Sequence, residues 1–315
     1  MLYKYIFMES SPIVYTQSPD SIISCFLMGG LGNQLFQIFT TISYGMNNKR
    51  NIIFPYTDML TTGRHRPTYW NSFLSNLVIF TTRVNKQYIP YQFPRYNENG
   101  FHFTEIPKLN IHTVMLHGYF QSYLYFEDNK DLLFSMIELN NKQTDIRAEF
   151  DSLLTPSRDV SVRKISMHFR LGDYKLHPNN HPIMPFEYYK NALSAIISKH
   201  TTESVTQSNN YLYKVLYFCE KEDNDIVMSH IRNLSIDFPL VQFEKVDDDI
   251  PDWKQLLIMS CCNDNIIANS SFSWWGGYFN NEIDKTICYP VKWFGPAINH
   301  DVRDLFPPYW TKIIW

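Results

Sequence analysis

An alternating run, Lys164-Ile165-Ser166-Met167-His168-Phe169, stops at Arg170-Leu171-Gly172-Asp173. Ile165, Met167 and Phe169 recur at a period of two, the pattern of a β-strand. Gly172 is a natural place for the backbone to turn after it. Arg170 is therefore expected at the carboxyl end of a strand, with Asp173 on the loop beyond. In open α/β sheets, ligands bind in the crevice outside the carboxyl ends of the strands. An arginine there offers a planar fork of donors suited to a phosphate or a carboxylate. The same residues also suit a surface arginine paired with a neighbouring aspartate, so the choice rests on the rest of the chain.

Two further turns repeat the arrangement. Ile22 to Met28 is an apolar run of strand length that enters Gly29-Gly30-Leu31-Gly32-Asn33-Gln34, after which Leu35, Ile38, Phe39, Ile42 and Met46 follow at helical spacing. Glycines there let backbone approach a ligand, and a helix N-terminus favours anions. The pattern is neither G-x-G-x-x-G nor a P-loop, and a tight turn with Asn33 serving the helix start is the alternative. Later, Asn265 to Ala268 reads as a strand opening onto Asn269-Ser270-Ser271-Phe272-Ser273-Trp274-Trp275-Gly276-Gly277. Its hydroxyls and amides suit phosphate oxygens, or a serine cap on a buried tryptophan helix.

Strands are also expected at Asn51 to Pro55, His112 to Leu116, Tyr211 to Phe218 and Thr286 to Val291. A helix with Phe186, Tyr189, Leu193, Ile196 and Ile197 on one face follows Pro185, and another starts at Asp252 as its N-cap. His117 to Ser122 is a polar, aromatic loop that suits either sugar contact or core packing. Residues 55–110 show no period. Cys219-Glu220-Lys221-Glu222-Asp223 ends a strand as a charged loop, with Glu220 placed to meet a nucleobase or ribose hydroxyl or to lie at the surface. The acidic stretch Glu244 to Asp252 lacks the glycine and closing glutamate of a calcium loop and reads as a solvated turn. Alternation of strands with helices in both halves predicts α/β domains on parallel sheets, 1–155 and 156–315, with the boundary near Pro156.

A net charge of -3 gives no basic excess for nucleic-acid binding. The odd count of 5 cysteines shows neither a disulfide framework nor zinc-ligand spacing, which points to a reducing compartment. The sequons at Asn233 and Asn269 matter only in a secretory pathway. Met1 to Met8 is apolar but runs into Glu9-Ser10-Ser11 without a cleavage site, and no apolar run reaches the ~18 residues of a membrane span. The expectation is a soluble, cytoplasmic protein without stable membrane insertion.

Gly29 to Gln37, Gly118 to Ser122, His168 to Tyr174 and Asn269 to Gly277 together resemble, in content and order, the α-1,2-fucosyltransferase family, glycosyltransferase family 11. Asp252 to Cys262 and Lys292-Trp293-Phe294 also look like family segments. The resemblance implies a GT-B fold: two Rossmann-like domains facing across a cleft, the first mainly on the acceptor side, the second binding the donor. It implies inverting transfer of L-fucose from GDP-β-L-fucose to a hydroxyl of an acceptor glycan, usually O2 of a galactose, with no metal or other cofactor. By the same resemblance Arg170 and Asp173 are catalytic, Arg170 on the β-phosphate and Asp173 holding it. Gly30, Gly32, Asn33, His168, Glu220, Ser270, Ser271 and Phe272 join Arg170 around the donor.

Two departures stand out. Leu171 replaces a second arginine, and Cys219-Glu220-Lys221 replaces a serine-and-aspartate pair. Asp173 and Glu187 are formal candidates for a general base, beside departing phosphate or water. A transferase of another GDP-sugar or linkage, and a catalytically silent glycan- or GDP-binding module, are the competing readings. Oligomeric state is left open.

Overall fold

The computed structural model describes residues 21–154, 162–204 and 212–315. Met1 to Ser11, the boundary at Pro156 and most of the polar connection after Thr201 lie outside the described residues. Contacts divide the chain into two units. Residues up to Gly29 with Gln34–Leu133 form one, and Gly30–Asn33 with Phe134 onward form the other. The segment from Phe134 to Leu154, assigned from the sequence to the N-terminal domain, thus groups with the second unit.

The first unit is built on β1 (Ile22–Cys25), β2 (Asn51–Ile52), β5 (Arg95–Asn97) and β6 (Thr113–His117), with a small antiparallel pair, β3 (Met59–Leu60) and β4 (Arg66–Pro67), inserted. Its sheet order is β2-β1-β6-β5, every neighbour parallel. Parallel strands need a crossover to cover them. Here α1 (Leu31–Asn47) supplies it, and Leu35, Phe36, Ile38, Phe39 and Ile42 are fully buried along it. Two glutamines after the glycine turn fix that turn: Gln34 Nε2 donates to the carbonyls of Gly29 at 3.0 Å and Pro67 at 2.9 Å, and Gln37 Oε1 accepts the Met28 amide at 2.9 Å. β5 lies in the stretch without a visible period, since three exposed or half-buried residues leave no repeat to read.

α2 (Lys130–Met136) runs across the division, and α3 (Leu139–Glu149) and α4 (Asp151–Leu154) follow where the sequence suggests a polar boundary. Gln143 inside α3 donates through its buried amide to Ser260 Oγ at 2.9 Å and the Phe279 carbonyl at 3.0 Å, which explains a polar helix that is nonetheless packed.

The second sheet comprises β7 (Val162–His168), β8 (Leu212–Phe218), β9 (Val241–Lys245), β10 (Asp264–Ile266), β11 (Ile287–Pro290) and β12 (Thr311–Ile313). The order β12-β11-β10-β7-β8-β9 is parallel throughout. The chain builds outward from β7 in one direction through β8 and β9, then returns to the other side with β10 to β12. The strand order therefore reverses between β7 and β10, which makes their carboxyl ends a topological switch point. Helices α5 (Phe186–Ser204) and α6 (Asn224–Asp237) cover one face, where Tyr188, Tyr189, Leu193, Ile196, Val227 and Leu234 pack on Ile165, Met167 and Val215. Two more helices, α7 (Asp252–Ser260) and α8 (Ser271–Tyr278), complete the unit. Asp252 is the first residue of α7 and not its N-cap, which is Pro251. Among the described residues no helix is long and apolar enough to cross a membrane.

β7 differs from a half-exposed alternating strand: the polar members of its pattern are buried as well. Asn265 Nδ2 donates to Ser166 Oγ at 2.7 Å, and Arg163 grips Asp264 with Nε and Nη2 at 2.6 and 3.0 Å. Both groups are almost fully buried, at 5% and 0% side-chain exposure. Removing one partner of such a pair strands a buried charge and costs about 3–5 kcal/mol. Arg163→Met is expected to lose stability of that order in urea unfolding. The double variant Arg163→Met, Asp264→Asn is expected to recover most of it, because asparagine still accepts the Thr286 amide that Asp264 holds at 2.7 Å.

Candidate functional site

Three chain segments meet at the switch point of the second unit. The first is the end of β7. His168 closes the strand, the Phe169 amide still donates to Phe218 at 2.8 Å, and Arg170 is the first residue free of the ladder. The short 3₁₀ turn Gly172–Leu176 then carries the chain away. Gly172 adopts φ 38, a left-handed value that suits glycine, and a Cβ there would lie 2.6 Å from Glu220 Oε2 and 2.8 Å from Arg170 Nη1.

Arg170 is mostly buried and is held on three sides. Its Nη2 pairs with Asp173, its Nη1 pairs with Glu220 from the loop after β8, and its guanidinium lies 4.8 Å from the centre of the Tyr174 ring. The surface-pair and ligand-site readings of this arginine thus merge: the partners are present, but the cation sits at a strand end beneath a loop cluster. Leu171 faces the other way and joins the apolar cluster under α5, at 3% exposure. In this chain the position serves packing.

The turn is fixed by Asp223, which in the sequence is one more member of a charged loop. It is fully buried and accepts the Gly172 amide at 2.7 Å and Lys175 Nζ at 2.5 Å. Its partners lie about fifty positions upstream, so no local pattern distinguishes it from its neighbour Glu222. Further along, Lys245 Nζ lies 2.5 Å from Asp248 and Asn224 Nδ2 2.7 Å from it, so this member of the acidic stretch is half-buried and paired.

The second and third segments are the start of α8 and the glycine turn before α1. Ser270 is the N-cap of α8, its Oγ accepting the Phe272 amide at 3.3 Å. Asn269 is buried, its Nδ2 donating to the carbonyls of Pro182 at 2.9 Å and Trp293 at 3.1 Å, so its sequon is spent on structure. Ser271 donates its hydroxyl to Asn33 Oδ1 at 2.5 Å, and Trp275 Nε1 donates to the Gly32 carbonyl at 2.8 Å. A Cβ on Gly32 would fall 2.4 Å from the Ser271 carbonyl carbon, so the two turns approach as closely as backbone allows. Gly30, by contrast, faces open space: a Cβ there would meet nothing within 4 Å.

His168 joins the groups together. Its ring lies 5.6 Å from Phe272, and its buried Nδ1 has no hydrogen-bond partner among the described residues. Burial, with the Arg170 charge beside it, pushes the imidazole down to about 3. The structure thus gathers His168, Arg170, Asp173, Glu220, Ser270, Ser271, Phe272, Gly32 and Asn33 at one sheet edge. Glu187 stands apart on the first turn of α5, where its charge acts on His230.

The arrangement presents a guanidinium, a helix N-terminus and a neutral imidazole in one place, a set suited to an anionic ligand. The model of glycosyl transferase family 11 matches residues 2–313, and the chain belongs to that family. It is therefore a glycosyltransferase. Two successive α/β units on parallel sheets give it the GT-B plan. It is similar to the O-antigen biosynthesis glycosyltransferase WbnK of Escherichia coli, at 24% identity over 86% of this chain and 94% of that protein. It is also similar to an α-1,2-colitosyltransferase of Escherichia coli, at 26% identity over 93% and 99%. Among solved structures, a FUT1 variant of Arabidopsis thaliana in complex with GDP aligns with a TM-score of 0.46 at 10% identity, over 86% of this chain and 71% of that one.

A buried neutral histidine has a measurable signature. The unfolded chain binds a proton near pH 6.5 and the folded state does not until about 3, so stability falls as pH drops below 6.5. Between pH 7 and pH 5 His168 is expected to account for about 2 kcal/mol of lost stability. His168→Gln should flatten that part of the curve in urea unfolding at the two pH values; an unchanged slope counts against a buried neutral imidazole.

Proposed function

We propose that this chain transfers L-fucose from GDP-β-L-fucose, with inversion, to a hydroxyl of an acceptor glycan, with O2 of a galactose as the preferred position. The observation that carries the reading is Arg170 at the carboxyl end of β7, beside the N-terminus of α8, at the point where the strand order reverses.

In the reaction the acceptor oxygen bonds to C1 of the fucosyl group from the face opposite the diphosphate. The bond from C1 to the phosphate oxygen breaks, and its electron pair leaves with GDP. Negative charge grows on that phosphate, and preorganised donors aimed at developing charge are the strongest lever available. Arg170 and the amide end of α8 supply it, with Asn33, Ser270 and Ser271 as further donors and His168 as a neutral partner for the nucleotide. On this reading no metal is needed to neutralise the leaving group.

Asp173 and Glu220 occupy both edges of the guanidinium in the free protein. A diphosphate reaching Arg170 has to replace one of them. Asp173 lies on the arginine's own turn and stays to orient it, whereas Glu220 comes from the loop after β8. Released, Glu220 becomes an acceptor for a ribose or base hydrogen, which is how this chain does without the family's serine-and-aspartate pair. The acceptor hydroxyl's proton passes to departing phosphate, water or a carboxylate.

A second reading is favoured by the relative named α-1,2-colitosyltransferase: the same linkage made from a different activated sugar. Competition between GDP-fucose and GDP-colitose in one assay separates the two.

The direct test is an assay with GDP-fucose, lactose and EDTA, with product linkage read by NMR. The expected result is an α-1,2 product that survives EDTA and falls at least ~100-fold in Arg170→Ala, as for loss of a main electrostatic donor. Failure of the wild type to bind GDP overturns the donor assignment, and dependence on added metal overturns the charge assignment.

A further inference from the structure

The first unit carries a second set of polar and aromatic groups at its strand ends, which the donor chemistry leaves unused. In the order β2-β1-β6-β5, β1 and β6 are parallel neighbours, so their carboxyl ends lie side by side. Phe26, one residue past β1, has its ring 5.3 Å from that of His117 at the end of β6 and 6.0 Å from Tyr91. Arg95 lies over the Phe26 ring at 5.2 Å, and His117 Nδ1 is 2.9 Å from Asn97 Oδ1.

Glu98 is the unusual member. Its amide donates to the His117 carbonyl at 2.9 Å, which sets it beside β6 just past the end of β5. Its Oε2 accepts the Tyr119 amide at 2.7 Å, while the buried Oε1 has no hydrogen-bond partner among the described residues. Burial, opposed by the Phe120 and Tyr119 amides, pushes the carboxyl up to about 7. A Cβ on Gly118 would lie 2.3 Å from Glu98 Cβ, so the glycine is what lets the acid lie against the loop. Phe120, two residues after that glycine, holds φ 51, a left-handed value rare for a large side chain, with its side chain buried. Strained backbone and an incompletely satisfied acid both cost stability, and such features cluster where a ligand is handled. Around them Tyr91 and Tyr119 are exposed residues, at 53% and 38%.

We propose that the carboxyl ends of β1, β5 and β6 form a subsite for a neutral pyranose, in which Glu98 accepts a hydrogen bond from a sugar hydroxyl through Oε2 and the exposed tyrosines pack on the ring. Glu98 has no cationic partner among the described residues, a carboxylate accepts from a hydroxyl, and aromatic rings suit the C–H faces of a sugar. The inference rests on the glycosyl-transfer reading, for which this would be the acceptor side, and it assigns that role to residues of the first unit.

The test is titration calorimetry of the full chain with lactose at pH 8, run beside titration with GDP. Wild type is expected to bind lactose, Glu98→Gln to bind it about tenfold more weakly or worse, in line with loss of a charged hydrogen bond, and Tyr91→Ala to weaken it severalfold. Both variants should keep the wild-type affinity for GDP and melt within a few degrees of it. Unchanged lactose affinity in Glu98→Gln overturns the subsite, as does a wild type that binds GDP but no lactose. A wild type that binds lactose through Glu98 but no GDP leaves the subsite standing and removes the donor reading instead. If Glu98→Gln does not fold, loss of lactose binding in Tyr91→Ala supports the subsite and its absence refutes it.

Discussion

The second unit depends on β7 being buried on both faces. A central parallel strand normally meets that condition with an unbroken apolar run. This one carries Arg163, Lys164, Ser166 and His168 into the interior, so each polar group has to find a partner or lose its charge. Arg163 takes Asp264, Ser166 takes Asn265, and the Lys164 backbone amide takes Asn263 at 2.8 Å. All three partners lie on or next to β10. The register between β7 and β10 is thus set by polar matching as well as by the ladder, since a slip of one residue would leave buried charges facing apolar side chains. That register is what brings Arg170 and Ser270, each a few residues further on, to the same edge of the sheet.

How much of this could be read in the residues follows from the range of the forces involved. Strands β1, β6, β7, β8, β10 and β11 and helices α1, α5 and α8 announce themselves because their signal is local: an apolar run or period followed by a turn residue. β5, β9 and β12 are short strands at sheet edges, with few buried positions to form a pattern. α3 is hidden because the residue that anchors it, Gln143, is polar and its partners are more than a hundred positions away. The candidate site divides in the same way. Arg170, Asn33 and Ser271 sit at strand-to-turn junctions and are visible; Asp223 and Glu98 act through backbone amides of distant loops, and nothing in their neighbourhoods marks them.

The environment of Arg170 explains why a glutamate is tolerable where a phosphate is expected to bind. A mostly buried guanidinium with no counter-charge would be costly, because water reaches it only in part. Two carboxylates and an aromatic face hold it in a single orientation before any ligand arrives. The consequence is that the arginine is already neutralised, so the net attraction for a diphosphate is the difference between two ion-pair states. On the proposed reading such a difference is governed by which carboxylate is more easily released, and Lys175 and Asp223 hold the Arg170 turn in place. Leu171 adds to the same rigidity by burying its side chain, which turns a departure from the family pattern into packing beneath the turn.

Both units place polar groups at the carboxyl ends of neighbouring parallel strands, with different charge content. In the second, the reversal of strand order collects a guanidinium already paired with Asp173 and Glu220, a helix amide end and an uncharged imidazole, so an anion has to displace a carboxylate to bind there. In the first, the ends of β1, β5 and β6 collect a carboxylate that has no cationic partner among the described residues, an amide–imidazole pair, the Arg95 guanidinium on Phe26 and tyrosine rings, a set that suits hydroxyls. A transferase has to hold a charged donor and a neutral acceptor without letting either take the other's place. On the proposed reading that discrimination comes from an arginine that must exchange a carboxylate for a phosphate and from a carboxylate that accepts hydroxyls, and it can be traced to single residues: Arg170 on one sheet and Glu98 on the other.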